Sequence, residues 1–205
     1  MRVLIACERS GIVRRAFTAR GHYAVSCDMV GADDSPCLRH YCGDVRDIVD
    51  DGWDLMIAHP PCTHLAVSGA RWFPEKRADG RQQDALDFVR LLMAAPIARI
   101  CIENPVSVIS SQIRKPDQII QPWMFGHAEA KATCLWLKNL PRLRPTAMVE
   151  RPARGYWDNQ TPSGQNKLGP SPERATVRSR TYLGIADAMA EQWDEKHLDA
   201  TNRAV

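Results

Sequence analysis

The sequence predicts an α/β fold: a Rossmann-like, doubly wound sheet whose strands are mostly parallel. Three observations carry this expectation. Short apolar runs of strand length alternate with segments of helical periodicity over residues 1 to about 110. A Ser10-Gly11 turn joins the first run to the first helix. An aspartate, Asp28, closes the second run about 20 residues after that turn, as in nucleotide-binding α/β units.

Arg2-Val-Leu-Ile-Ala6 reads as a buried first strand. Beyond the turn, Ile12, Val13, Ala16 and Phe17 recur at helical spacing up to Arg20-Gly21, where glycine can end a helix. Tyr23 to Cys27 is a second strand, and an acidic turn, Gly43-Asp44-Val45, precedes the segment Asp47 to Gly52. Asp54 to Ala58 is the next strand. Gln82 to Ala94 places Ala85, Phe88, Val89, Leu92 and Met93 on one helical face and stops ahead of Pro96. Arg99 to Ile102 is a strand, Thr133 to Leu137 a late one, and Ile185 to Trp193 a C-terminal helix. Because strands alternate with helices, neighbours are expected to pair in parallel through right-handed crossovers.

Between the late strand and the last helix, Asn139 to Thr181 is rich in Pro, Gly and Arg. Arg142, Arg144, Arg151, Arg154, Lys167, Arg174, Arg178 and Arg180 face only Glu150, Asp158 and Glu173 in this stretch. It reads as a basic, irregular insertion without a core of its own. The expected organisation is a catalytic and cofactor-binding domain over 1–137, the basic insertion over 138–181, and a C-terminal helix over 182–205 that packs back on the first unit. Of the tryptophans, Trp72, Trp123, Trp136 and Trp193 are expected in the core, and Trp157 is the expected exception, a platform for base stacking.

The 205 residues are 44% apolar, enough for a sizeable core, and the formal net charge of +3 is compatible with a nucleic-acid partner without demanding one. No apolar stretch approaches the roughly 18 residues that span a bilayer. Met1 to Cys7 is too short and too quickly polar for a secretory segment, and seven scattered cysteines form no disulfide framework, so a reducing cytoplasm is the expected compartment. Cys7, Cys27, Cys101 and Cys134 are expected to be small buried hydrophobes. Neither Cys37-x-x-His40-x-Cys42 nor His59-x-x-Cys62-x-His64 supplies a four-ligand zinc set at the usual spacing.

Chemistry concentrates at two strand ends. His59-Pro60-Pro61-Cys62 follows the run Leu55 to Ala58, and Glu103-Asn104-Pro105 follows Arg99 to Ile102. Ligands of open α/β sheets bind outside the carboxyl ends of the strands. A Pro-Pro turn cannot continue a strand, so it fixes the chain's exit and presents Cys62 there. A nucleophile and a carboxyl group would meet in that crevice.

The run Pro60-Pro-Cys-Thr-His-Leu-Ala-Val-Ser68-Gly-Ala-Arg71 resembles the Pro-Cys nucleophile loop of DNA cytosine-5 methyltransferases. Glu103-Asn104-Pro105 resembles their Glu-Asn-Val element. Phe125-Gly126 through Glu129, Lys131 and Thr133 to Leu137 resembles their aromatic-Gly, Gln-x-Arg-x-Arg strand element, and Ser10-Gly11-Ile12 their cofactor turn, with Val13 and Arg14 in place of later glycines. The chain looks like the very small phage-borne members of that family, which lack a full target-recognition domain.

The resemblance implies a class I S-adenosylmethionine-dependent methyltransferase fold and methylation of DNA cytosine at carbon 5, with short or relaxed sequence specificity. Carbon 5 is a poor nucleophile, so a thiolate must first add to carbon 6; Cys62 fits that task. Glu103 would protonate ring nitrogen 3, and Lys131 would hold the base carbonyl or a phosphate. S-adenosylmethionine would lie against Glu8, Ser10, Gly11, Ile12, Asp28, Met29, Asp44, Val45 and Pro60: Asp28 on the ribose, Asp44 on the adenine amino group, Glu8 facing the ammonium. DNA would meet Ser68, Arg71, Arg151, Arg154, Lys167, Arg178 and Arg180. The expected partner is DNA in a bacterial or phage-infected cell, with the protein a monomer or weak homodimer. The rival readings are amino-group methylation, binding without turnover, and modification of free cytosine nucleotides.

Overall fold

Val3, Leu4, Ile5 and Ala6 are all at 0% exposure. A strand apolar on both sides needs cover on both faces, which is how parallel sheets are built. The computed structural model, which describes residues 1–169, 171 and 174–202, provides it. In chain order the elements are β1 Arg2–Ala6, α1 Ile12–Ala19, β2 Tyr23–Asp28, β3 His40–Cys42, β4 Leu55–Ala58, α2 Phe73–Ala78 and α3 Arg81–Ala94. They continue with β5 Arg99–Pro105, α4 Ile109–Gln112, β6 Gln118–Ile120, β7 Thr133–Lys138, α5 Arg174–Ser179, α6 Leu183–Gln192 and α7 Glu195–Asn202.

Seven strands form one sheet in the order β3-β2-β1-β4-β5-β7-β6. The pairs from β3 through β5 are parallel, whereas β7 runs antiparallel to both β5 and β6. The result is a mixed, mostly parallel α/β sheet compatible with a Rossmann-like fold.

Alternate residues of each strand serve opposite faces. Val3, Ile5, Leu55, Ile57, Cys101 and Leu135 pack with Val13 and Phe17 of α1 and with Ile185, Ala186 and Met189 of α6. Leu4, Ala6, Met56, Ala58, Ile100, Ile102 and Trp136 pack with Leu86, Val89 and Leu92 of α3. Each such Leu, Ile or Phe removed from water stabilises the fold by about 1.5–3 kcal/mol. α6 docks against α1, and the segment expected as one C-terminal helix over 182–205 holds two, α6 and α7; residues 203–205 lie outside the described residues.

Several elements differ from expectation. β5 does not end at Ile102 but continues through Glu103, Asn104 and Pro105, because β7 pairs with all three. β3, β6, α2 and α4 lie outside the expected elements, as does α5 within the segment expected to be irregular; each has six residues or fewer. The insertion has no separate core among the described residues: Leu143 enters the common one, and Gln118 holds it by a reciprocal pair of hydrogen bonds at 2.7 and 2.8 Å.

Two tryptophans exchange their expected places. Trp157 is only 8% exposed, and its ring stacks on Trp123 with centroids 5.9 Å apart, so that face is closed to a base. Trp72 is 49% exposed rather than in the core, because it ends a short 3-10 segment, Val67–Trp72, at the surface. No helix among the described residues is long and apolar enough to cross a membrane.

Candidate active site

The sheet order changes direction between β1 and β4, and the crevice at the carboxyl ends of those two strands is where α/β sheets take ligands. The register sets its contents. Ala6 pairs with Ala58 and Ala58 with Ile102, so the next residue of each strand, Cys7, His59 and Glu103, emerges at the same level. The His59 N–H donates to the Ala6 carbonyl at 2.9 Å, the last backbone bond before Pro60 and Pro61 take the chain out of the ladder.

Pro60 is buried, and its carbonyl accepts the Asn104 Nδ2–H at 2.8 Å. The Cys62 carbonyl accepts the N–H groups of Leu65 and Ala66 at 3.0 and 2.9 Å. Lys76 Nζ donates to the Thr63 carbonyl at 2.6 Å, and Gln82 Nε2 to that of His64 at 3.1 Å. The loop is therefore fixed by α2, α3 and β5, while Cys62 itself remains exposed.

Glu103 is 9% exposed, and its Oε2 accepts a hydrogen bond from His59 Nδ1 at 2.8 Å. Burial pushes this carboxyl up, but the His59 hydrogen bond and the charge of Lys131 outweigh burial and hold it below its ordinary value. The Cys62 thiol goes the other way. Crowding by the surrounding protein, and then the charge of Glu103, push it up, while Lys131 and Arg178 pull against them. At rest the site thus holds an ionised carboxylate and a protonated thiol, so Glu103 must collect a proton before it can act as the acid predicted from the sequence. Lys131 stands just ahead of β7; its Nζ donates to the Arg180 carbonyl at 3.2 Å and lies 5.8 Å from the centre of the Tyr182 ring.

On the β1 side, Cys7 turns the chain with φ 57°, a left-handed value uncommon outside glycine. Its thiol is pushed up to about 12 by burial first and then by Asp28, Cys27 and Asp44, which places both carboxylates in one corner around the end of β1. Asp28 Oδ1 accepts from the Val30 N–H at 3.2 Å, and Oδ2 has no hydrogen-bond partner among the described residues. Asp44 caps the following 3-10 turn through the Arg46 N–H at 3.0 Å and pairs with the Arg46 guanidinium, also at 3.0 Å. Met29 is 70% exposed, and Val45, at 4%, belongs to the core rather than to an open wall.

Glu8 is not free to meet an ammonium group. It is 5% exposed; Oε1 accepts from the Val13 N–H at 2.7 Å and Oε2 from the Arg14 N–H at 3.2 Å, satisfying donors that the first turn of a helix otherwise leaves open. Ser10 Oγ donates to Glu8 Oε1 at 3.2 Å and accepts from the Ile12 N–H at 3.3 Å. Gly11 has φ 67°, and a side chain there would collide with the guanidinium of Arg14. The Ser10 and Gly11 N–H groups remain without a partner among the described residues.

The sequence reading missed a strap over this turn. Asp33 pairs with Arg9 at 2.6 Å and Arg180 at 3.0 Å, and Asp34 with Arg15 at 2.5 Å and with the buried Arg14. The Asp33-Asp34 dipeptide opposite Arg9, Arg14 and Arg15 was the available signal.

Of the residues expected to meet DNA, Ser68, Arg71, Lys167 and Arg178 are exposed, and Arg71 stacks over Trp72 at 4.8 Å. Arg151 donates to the Gly155 carbonyl at 2.7 Å, Arg154 to that of Tyr156 at 3.1 Å and to Asp158, and Arg180 to Asp33. These three hold the insertion's own loops and the strap. Arg178 is the insertion residue whose charge reaches Cys62.

Cys27, Cys101 and Cys134 are buried, and Cys7 is half-buried. No group of three His, Cys, Asp or Glu side chains able to hold a metal occurs among the described residues; both His40 ring nitrogens are engaged at 2.9 Å, by Ser26 Oγ and the Val30 carbonyl. No family model matches the chain, and no curated protein matches it.

Proposed function

We propose that the protein is an S-adenosylmethionine-dependent DNA cytosine-5 methyltransferase with a class I methyltransferase fold. The observation that carries this reading is an exposed Cys62, at the exit of β4, close enough to Glu103 on β5 to feel its charge, while His59 occupies Glu103 Oε2 and Oε1 has no partner among the described residues. The reversed β7 beside β5 and the motif order described above support it by analogy.

The cofactor supplies an electrophilic methyl group. Its fit rests on the open Ser10 and Gly11 N–H groups at the start of α1, which suit a carboxylate, and on Asp28, whose free Oδ2 at the end of β1 would accept ribose hydroxyls; Asp44 beside it would have to exchange the Arg46 guanidinium for the adenine amino group.

The resting protonation states dictate the first step. As Cys62 Sγ bonds to carbon 6 of cytosine, the thiol proton leaves, and negative charge spreads toward ring nitrogen 3. Glu103, ionised and adjacent, accepts a proton and passes it to that nitrogen through Oε1. Lys131 and Arg178 favour the thiolate. Once carbon 5 has taken the methyl group and the cofactor's thioether product is left, water would take the carbon-5 proton, the sulfur–carbon bond would break, and the nitrogen-3 proton would return through Glu103 to the Cys62 thiolate. The ring faces of a paired base are covered by its neighbours, so the target must be flipped out or unpaired.

DNA carrying 5-fluorocytosine tests the nucleophile. Fluorine cannot leave as a proton does, so wild-type protein with cofactor should form an adduct that survives denaturation, and Cys62→Ala should form none. A wild-type protein that turns over without trapping would overturn the reading.

A further inference from the structure

His59 is the residue of the site that the proposed chemistry leaves without a task. Its side chain and that of Glu103 are 9% and 11% exposed, and their contact at 2.8 Å is fixed by sheet register rather than by flexible loops. An ionised carboxylate has no proton to give, so His59 Nδ1 is the donor in this bond, and the tautomer follows. Its other nitrogen, Nε2, is buried and has no partner among the described residues, so the Glu103 contact is the ring's one hydrogen bond there.

We propose that His59 is a positioning residue for Glu103: its Nδ1–H holds Oε2 so that Oε1 alone faces the cytosine ring edge. This inference rests on the reading of Glu103 as the group that meets the base.

A glutamate has three rotatable side-chain bonds, and a carboxylate free to turn would present either oxygen, or neither, to ring nitrogen 3. The charged and titratable groups around Glu103 are His59 from the exit of β4, Lys131 from the approach to β7, Cys62 across the crevice, and the thiols of Cys101 and Cys134, which feel its charge. Of these, only His59 is hydrogen-bonded to it among the described residues. The chain places a histidine ahead of its Pro-Pro turn, where any residue could have left the strand, and the neighbouring register turns that choice into a contact with the carboxylate.

His59→Ala removes the donor; His59→Asn keeps an amide N–H near the position of Nδ1. Carbon-13 titration of the Glu103 carboxyl in the protein without ligands, assigned by its loss in Glu103→Gln, reads the contact directly. The wild-type midpoint should lie below the ordinary value of 4.5. In His59→Ala it should rise by about one unit or more, and His59→Asn should retain most of the wild-type depression.

In turnover, kcat of His59→Ala should fall roughly 100-fold, the scale of a misplaced reacting group, with KM for cofactor unchanged and the acid limb of the pH profile moved upward. His59→Asn should recover most of kcat. A Glu103 midpoint unmoved in His59→Ala, or moved as far in His59→Asn, overturns the proposal. Should wild-type protein neither methylate nor trap DNA while the midpoint shifts as expected, the cytosine reading fails and the His59–Glu103 relationship stands.

Discussion

Asn104 of β5 donates its side-chain N–H to the carbonyl of Pro60 at 2.8 Å. A residue near the end of one strand thereby holds the turn that carries Cys62 at the exit of its neighbour. The bond is buried, with Asn104 at 1% exposure, and the Pro60 carbonyl has no other partner among the described residues.

Asn104→Ala should therefore destabilise the protein by about 1–3 kcal/mol, read as a lowered midpoint in urea unfolding. It should also slow covalent trapping at Cys62 while leaving cofactor affinity unchanged. Asn104→Asp should do no better, since an ionised carboxylate cannot donate. Wild-type trapping in both variants would show that the turn holds its shape through its prolines alone.

Glu8→Ala should act on stability rather than on cofactor binding. Its carboxylate closes the first turn of α1, so the loss should resemble that of a helix cap, about 0.5–2 kcal/mol. Asp28→Ala should do the reverse, weakening cofactor binding by about 1–3 kcal/mol with methyl transfer at saturating cofactor little changed, and Asp44→Ala, which also removes the cap of the turn that follows, should lower both cofactor affinity and stability. Calorimetry and thermal melts on the three variants separate the two roles; a Glu8→Ala protein that melts normally but no longer binds cofactor would restore the ammonium contact.

These residues also show how much the sequence discloses. β1, β4, α3 and β7 were legible because each carries an unbroken apolar run or a clear helical stripe. The extension of β5 was not, since Glu103-Asn104-Pro105 breaks the apolar pattern at the point where the site needs polar groups. β3 and β6, three residues each, are too short to show a period. Within the site, Cys62 and Glu103 stand out from their neighbours in sequence. The His59 contact depends on register between strands, which spacing along the chain does not encode, and the Asp33–Asp34 strap shows in the sequence only as two acids that complement Arg9, Arg14 and Arg15. Glu8 is legible as an acid ahead of a helix, a position that suits the first-turn N–H groups it accepts from.

Alkylation of Cys62 should report its electrostatic setting. The thiol lies above its ordinary value of 9.0, so iodoacetamide should react slowly at neutral pH and faster as pH rises through the thiol's titration. Arg178→Ala and Lys131→Ala each remove a charge that favours the thiolate, so each should slow the reaction further and move its midpoint to higher pH. Glu103→Gln removes the opposing charge and should accelerate it. An Arg178→Ala rate equal to wild type would mean that α5 does not attend the site in solution.

Acid should destabilise the fold. Glu103, Asp34 and Asp117 are each held below their ordinary carboxylate values once their partners have outweighed burial. In this case the stabilisation is fully present above the unfolded values of 4.5 and 3.8 and is lost as pH falls through the lower folded ones. Urea midpoints should thus drop steeply below about pH 4, and less steeply in Glu103→Gln. Flat midpoints across that range would mean that the carboxylates titrate alike in both states.

DNA contacts should fall chiefly to exposed cations whose side chains are not spent on the insertion's own loops. Lys167→Ala and Arg178→Ala should weaken binding uniformly across sequences and reduce the salt slope by about one for each phosphate no longer neutralised. Arg151→Ala and Arg154→Ala, whose side chains hold their own loop, should act mainly on that loop's order. Confinement of methylation to one fixed motif of about four or more bases would show instead that the insertion reads sequence, because phosphate contacts carry no base information.

The cytosine reading stands or falls on whether Cys62 directs methyl transfer to carbon 5. Labelled S-adenosylmethionine and DNA of mixed sequence, incubated with the protein and then digested for mass identification of the nucleosides, decide the matter. Wild-type protein should yield 5-methylcytosine, and Cys62→Ala should yield none. Methyl on an exocyclic amine, or full activity in Cys62→Ala, would contradict the proposed role of the thiol.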